Sequence, residues 1–216
     1  MAGTRRPGLT RQTLIDTAIA LLPEVGLDGL TVRRLATELG VQSPALYWHV
    51  RTKQELLDGI ADVIVQAPGM GPPRDGETWQ DWLTRRARGY RAALLAHRDG
   101  ARIVAGAQRL NPETVAMLDR ELTGLVGRGF TPVLALHAIT AMTNYVTGFV
   151  LREQADRALV AADSAPGLAA LTQILDDGAD APLIAAIRDG GSPLGDTAFE
   201  TGLRALITGI GAELNR

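Results

Sequence analysis

The chain has 216 residues, a formal net charge of −2, 46% hydrophobic and 21% charged residues, the make-up of a globular protein with one large domain or a small domain beside a larger one. It has no cysteine, which excludes disulfides, thiolate nucleophiles and Cys-held metals. Aromatic residues are only 4%, and a chain dominated by Ala, Leu and Gly favours helices over strands.

The first residues, "MAGTRRPGLTR", are basic and lack an apolar run, so they do not read as a signal peptide. No stretch is expected to reach the ~18 apolar residues of a membrane span. This places the protein in the cytoplasm, away from any membrane. Residues 1–57 hold seven basic residues (Arg5, Arg6, Arg11, Arg33, Arg34, Arg51 and Lys53) against five acidic ones. That end is therefore +2 and the remainder −4, a distribution that permits DNA binding without requiring it.

In chain order, Thr10 begins a helical pattern in which Leu14, Ile15, Ala18, Leu21, Leu22 and Val25 recur at spacings of three and four. Gly26 ends it, and Pro23 predicts a bend or an early stop. Thr31 reads as the N-cap of a short helix with Leu35 and Leu39 on one face, closed by Gly40. Ser43 reads as the next cap, with Pro44 at the first helical position. Two short helices around a tight turn are the signature of a helix-turn-helix. A further helix is expected from about Lys53 to Val65. "APGMGPPRDG", residues 67–76, reads as a loop.

Helices then follow from Thr78 to about His97, over "DGARIVAGAQ", from Asn111-Pro112 to about Gly127, and from Thr131-Pro132 to about Arg157. Residues 158–179 are weakly patterned, interrupted by Pro166, Gly167, Asp176, Asp177 and Gly178. Helices near 180–189 and from Asp196 to Leu214 close the chain. The expected fold is all-α with about ten helices: a three-helix N-terminal helix-turn-helix domain over residues 1–52 and a larger helical domain over 53–216. In the latter, residues 53–66 form a linker helix.

The second helix of such a motif lies in the major groove with its N-terminal residues toward base edges. Here it is about Ser43–His49. Leu46 with Val41 and Val50 would face inward, and Gln42, Ser43, Ala45, Tyr47, Trp48 and His49 outward. Exposed aromatics with polar tips suit sugar-phosphate and thymine-methyl contact, although Tyr47 and Trp48 also fit a half-buried structural role. Arg33 and Lys53 stand near helix N-termini, where backbone N–H groups add donors for phosphate.

The stretch "GLDGLTVRRLATELGVQSPALYWHVRTKQELLDGI" resembles the DNA-binding domain of the TetR family of bacterial repressors. "LYWHV", the following Lys53 and "LLD" are typical of its tetracycline-repressor branch. "GETWQDWLTRRARGYRAALLAHRDGARI" and "LTGLVGRGFTPVLALHAITAMTNYVTGFVLREQ" are similar to that branch's ligand-binding core. The resemblance is clear to about residue 154 and looser beyond. It implies that Gln42, Ser43, Pro44 and Ala45 face bases and that Thr31, Arg33, Tyr47, His49 and Lys53 hold phosphates of a palindromic double-stranded operator. The arm with Arg5 and Arg6 would reach further along the DNA.

It also implies a homodimer through helices about 131–157 and 196–214, and a pocket for a small-molecule effector. The last helix carries Phe199, Leu203, Leu206, Ile207, Ile210 and Leu214, with Gly202, Gly209 and Gly211 allowing close approach. A face that apolar needs a cover, from the partner chain or from its own domain. The implied pocket lining is Trp82, Arg86, Tyr90, Val104 and Leu118, with Leu136, Ile139, Thr143 and Asn144 from the long helix. At two positions where tetracycline repressors hold a drug–magnesium chelate with His and Glu, this chain has Val104 and Arg152. An alkyl group and a cation do not ligate a metal, so no tetracycline–magnesium complex, metal site or cofactor is expected. Arg86 stands where that family has an Asn, and Tyr90 where it has a Phe. Such a pocket suits a mostly hydrophobic ligand with an anionic or carbonyl group.

The sequence leaves three readings. The first is a ligand-responsive homodimeric repressor. The second is a DNA-binding regulator without a small-molecule inducer, constitutive or controlled by a partner. The third is a helical enzyme using His49 or His137 as a base. No nucleophile–base pair, phosphate loop or metal set in the sequence supports that last one.

Overall fold

In the computed structural model, residues 9–67, 69–161 and 181–216 are described. The arm with Arg5 and Arg6, and the breakers from Pro166 to Gly178, lie outside these. Ten helices and no strand occur among the described residues, an all-α architecture as the composition predicts.

Helix α1 (Arg11–Gly29) starts where the Thr10 hydroxyl accepts the Thr13 N–H. Its break falls at Gly26, with φ of 65°, rather than at Pro23 as expected. Pro23 stays within the helix, and its carbonyl and that of Glu24 accept hydrogen bonds from the Arg98 guanidinium. The same guanidinium lies 3.3 Å from where a Cβ on Gly26 would be, so the break needs glycine for two reasons.

Helix α2 (Val32–Leu39) is capped by Thr31, whose hydroxyl accepts the Arg34 N–H, and is stopped by Gly40 in the left-handed conformation. Helix α3 is a single turn, Ser43–Leu46, shorter than expected. Its N-cap is Gln42 rather than Ser43, without a side-chain cap bond. Turn conformation continues to His49. Leu46 and Val50 are buried beside Leu14 of α1, Leu35 of α2 and Leu56, while Tyr47 is 51% and Trp48 88% exposed.

Helix α4 (Lys53–Val65) packs against α1 on one side and against α5 (Trp79–Leu95) and α6 (Gly100–Ala105) on the other. It buries two carboxylates as well as Leu56, Ile60 and Ile64. Asp58 accepts from the Gln108 backbone N–H at 2.9 Å and from the Gln54 amide at 2.8 Å. Asp62 accepts from the Asn111 N–H at 3.1 Å and the Thr114 hydroxyl at 2.7 Å. Between them they hold the loop that joins α6 to α7 (Pro112–Val126).

Helix α8 (Pro132–Ala161) is the spine of the larger half, in contact with α5, α6, α7 and the last helix. Contrary to expectation, Pro132–Leu159 is long and apolar enough to cross a membrane, with a mean hydropathy of 1.4. Its apolar residues serve a core instead: Ala135, Ala138, Met142, Val146 and Val150 recur every three or four positions and are buried.

After the short α9 (Pro182–Arg188), helix α10 (Asp196–Leu214) lies back on α5 and α8. Phe199, Leu203 and Ile210 are buried there. Gly202 passes directly under the Tyr145 ring, whose hydroxyl donates to the Phe199 carbonyl at 2.8 Å. Arg91 of α5 lies 4.6 Å above the Phe199 ring and pairs with both Glu153 and Asp196. Part of the last helix's apolar face is thus covered by its own chain. The rest stays open, in a groove lined by Leu206, Gly209 and Glu213 with Leu134, His137 and Ala141.

Leu46→Ala removes a fully buried anchor and should cost about 2–5 kcal/mol, whereas Trp48→Ala should stay within about 0.5 kcal/mol of the parent. Urea denaturation of the two variants separates a surface role for the aromatic pair from a structural one. Gly202→Ala puts a methyl group into the Tyr145 ring and should lower stability by about 1–3 kcal/mol, read as a fall in Tm.

Candidate nucleic-acid interface and ligand cavity

The head presents its polar and aromatic groups around the single turn of α3. Gln42, Pro44, Tyr47 and Trp48 are exposed, and Ser43, Ala45 and His49 half-buried. The cause is local: Pro44 starts a turn too short to bury more than Leu46, and the two rings that follow have no interior to enter.

The adjacent cations differ in a way the sequence does not reveal. Arg34 is tied to Glu24 and Glu38. Arg33, one residue earlier and exposed, has no ion pair among the described residues. Arg51, which sequence reasoning did not select, is exposed with its guanidinium likewise unpaired among the described residues, although its backbone N–H donates to Glu55. The "HVRTK" turn was the available signal.

Thr31 uses its hydroxyl to cap α2, and Lys53 donates from Nζ to the Leu27 carbonyl at 3.1 Å. Lys53 thus ties the start of α4 to the end of α1, while its exposed ammonium retains two further protons.

The larger half encloses a cavity of about 280 Å³. Of the expected lining, Arg86 and Tyr90 enter from α5, Val104 from α6 and Leu118 from α7. Leu136, Ile139, Thr143 and Asn144 enter from α8. Trp82 does not reach it: the ring is fully buried and its indole N–H donates to the Gly71 carbonyl at 2.8 Å. Trp82 is a core residue, one turn of α5 away from the cavity.

Val65, Met70, Leu110, Leu122 and Thr140 also line the cavity and were not foreseen. Val65 is the last residue of α4, and Leu110 sits in the loop held by Asp58 and Asp62. The cavity therefore touches the linker helix and the loop fastened to it.

Arg86 is buried, and its Nε donates to Glu121 Oε2 at 2.9 Å. The other Glu121 oxygen accepts the Gly71 N–H at 2.9 Å. Arg86 Nη1 reaches the Thr143 hydroxyl at 3.3 Å. The Tyr90 hydroxyl lies 3.0 Å from that of Thr147, and burial pushes the phenol above its usual range, which keeps it neutral. Among the described residues no group of three or more His, Cys, Asp or Glu could hold a metal ion. Val104 lines the cavity with alkyl groups only, and Arg152 is exposed and not part of its wall. His97 stands near the end of α5, where burial depresses its pKa, and His137 lies in the open groove between α8 and α10.

Residues 14–60 match the family described as bacterial regulatory proteins, tetR family, and residues 72–214 the tetracyclin repressor-like C-terminal domain. The tetracycline repressor protein class A of transposon 1721 from Escherichia coli is 40% identical over 204 residues, covering 94% of this chain and 90% of that protein. A class A tetracycline repressor in complex with 5a,6-anhydrotetracycline and magnesium is 35% identical, with a TM-score of 0.70 over 94% of this chain and 99% of that one. The Streptomyces coelicolor protein ActR in complex with actinorhodin is 30% identical, with a TM-score of 0.81 over 96% of this chain and 99% of that one. The relatives are regulators, not enzymes. The chain belongs to the TetR family of DNA-binding transcriptional regulators, in its tetracycline-repressor-like branch.

Proposed function

We propose that the protein is a ligand-responsive, homodimeric transcriptional repressor in the cytoplasm. Residues 1–52 form the reading head with its basic arm, 53–66 the linker helix, and 53–216 the ligand-binding and dimerisation domain. A small, mostly hydrophobic molecule enters the cavity and releases the protein from a palindromic double-stranded operator. One observation carries this reading: α4 lines the cavity at Val65, fastens the cavity-side loop through Asp58 and Asp62, and joins the head through Leu56 and the Lys53–Leu27 bond. A molecule that displaces Leu110 or Val65 acts on the helix that carries the head. An open cavity of about 280 Å³ bearing Arg86 also favours a ligand-responsive regulator over one without an inducer.

The two copies pack through α8 and α10, whose shared groove leaves Leu134, Ala141, Leu206 and Gly209 for a second chain. The free dimer holds its two α3 turns ~34–36 Å apart, one turn of DNA. Ligand binds better to the state in which α4 has tilted and that spacing is lost. A full swing of the population needs a preference of ~5.5 kcal/mol.

On the DNA, Gln42, Ser43, Pro44 and Ala45 read base edges, while Thr31, Arg33, Tyr47, Trp48, His49 and Lys53 hold the backbone. The anhydrotetracycline–magnesium pair seen in the relative is not carried over. Val104 offers no ligand, no carboxylate lines the cavity among the described residues, and Glu121, paired with Arg86, already accepts from Arg86 and Gly71.

The test is a mobility-shift assay of the full chain on the DNA upstream of its own gene, at stated salt. A discrete complex that survives competitor DNA is expected. Arg33→Ala should weaken binding at every sequence and reduce the salt slope by about 0.9 for each phosphate that the variant leaves unneutralised. Gln42→Ala should instead change the preferred operator, by ~1–3 kcal/mol at one base pair. A folded dimer that gives no shift with any upstream fragment at low salt would sink the reading of α3 as a recognition element.

A further inference from the structure

The buried Arg86–Glu121 pair bears on the charge of the molecule the cavity accepts. This inference rests on the reading of the cavity as the effector site. The sequence suggests a free cation at Arg86, suited to an anionic or a carbonyl group. The structure shows otherwise. Arg86 and Glu121 are 2% and 0% exposed, with nitrogen and oxygen 2.9 Å apart. The carboxylate is fixed on its far side by the Gly71 N–H. The positive charge facing the cavity is therefore already compensated from behind, by an acid that does not itself line the wall. No other ionisable side chain except the neutral Tyr90 phenol lines the cavity among the described residues.

A buried carboxylate ligand beside Arg86 would find no net positive charge and a second carboxylate behind it. A buried cationic ligand would find no free acid. Either would lose its hydration without a compensating partner, which costs several kcal/mol. Neutral hydrogen-bonding groups fare better. The Arg86 Nη2 group makes no hydrogen bond among the described residues, and neither do the side chains of Thr140 and Asn144. All belong to one polar edge, with Thr140, Thr143 and Asn144 at i, i+3 and i+4 on α8, while Val104 of α6 and Leu118 and Leu122 of α7 supply apolar wall from other helices.

We propose that the effector is an uncharged, largely apolar molecule with carbonyl or hydroxyl groups along one edge, and that the Arg86–Glu121 pair is the charge filter. Glu121 acts through Arg86 and is a positioning residue that does not itself touch the effector.

The test uses two fluorescent probes with one skeleton, 9-anthracenecarboxamide and 9-anthracenecarboxylate, titrated into the full-length protein at pH 7. The wild type is expected to bind the neutral amide about tenfold tighter or more, since each factor of ten is ~1.4 kcal/mol. Glu121→Gln leaves Arg86 uncompensated and should shift the ratio toward the carboxylate by a further factor of about ten or more. Glu121→Ala removes the same carboxylate in a smaller side chain and should shift the ratio in the same direction, which keeps a test available should Glu121→Gln fail to fold. Val104→Trp fills the cavity and should abolish binding of both probes.

Equal or tighter binding of the carboxylate by the wild type overturns the charge filter and leaves the effector cavity standing. An unchanged ratio in folded Glu121→Gln does the same. Binding of neither probe, or binding that survives Val104→Trp, overturns the cavity reading and the filter with it.

Discussion

Two carboxylates on one helix set the arrangement of the molecule. Asp58 and Asp62, one turn apart on α4, each accept a backbone N–H from the 106–111 loop and a second bond from a neighbouring side chain. An acceptor buried without its donors costs ~1–3 kcal/mol or more when charged, so α4 and this loop have one mutual position. Two other parts of the chain connect to it. The loop leads into α7, whose Glu121 holds Arg86. The other end of α4 carries Leu56 into the head. A helix that belongs equally to two halves is what a regulator with distant sites requires.

The same economy of charge appears at three depths. At the surface of the head, neighbouring arginines are sorted: Arg34 is pinned by two glutamates while Arg33 stays open. Between α5, α8 and α10, Arg91 is half-buried, paired with Glu153 and Asp196 and stacked on Phe199. At the cavity, Arg86 is wholly enclosed and neutralised by a single acid. A count of basic residues sees these cations as equivalent. Their partners decide which one stays open to solvent, which one clamps a helix and which one lines a pocket.

The helices were legible because their signals are local. Thr10, Thr31, Thr78 and Asn111 each accept the N–H three residues on, and Gly40 adopts the left-handed conformation expected of it. The cavity was legible wherever a residue sat on the inward face of a long helix, as Ile139, Thr143 and Asn144 do. What escaped was set by tertiary partners. At the Gly26 break, Arg98 from a distant loop serves the Pro23 and Glu24 carbonyls, a partner that no local signal announces. Trp82 has the same spacing as Arg86 and Tyr90, yet its indole points to Gly71. Nothing local marks Glu121, Asp58 and Asp62 as buried, since a buried carboxylate differs from an exposed one only in what comes to meet it. The terminal helix was legible as half-covered only once Tyr145 was seen above Gly202.

The chain contains a single lysine, and it stands where α4 begins, bonded to the carbonyl at the end of α1. Amine-directed chemistry on this protein thus has one side-chain target, and that target is the joint between head and linker. Acylating Lys53 removes its charge and replaces the ammonium with an amide, loosening the joint without altering another residue. A dye attached there sits on the helix whose tilt is proposed, so its emission would report that tilt.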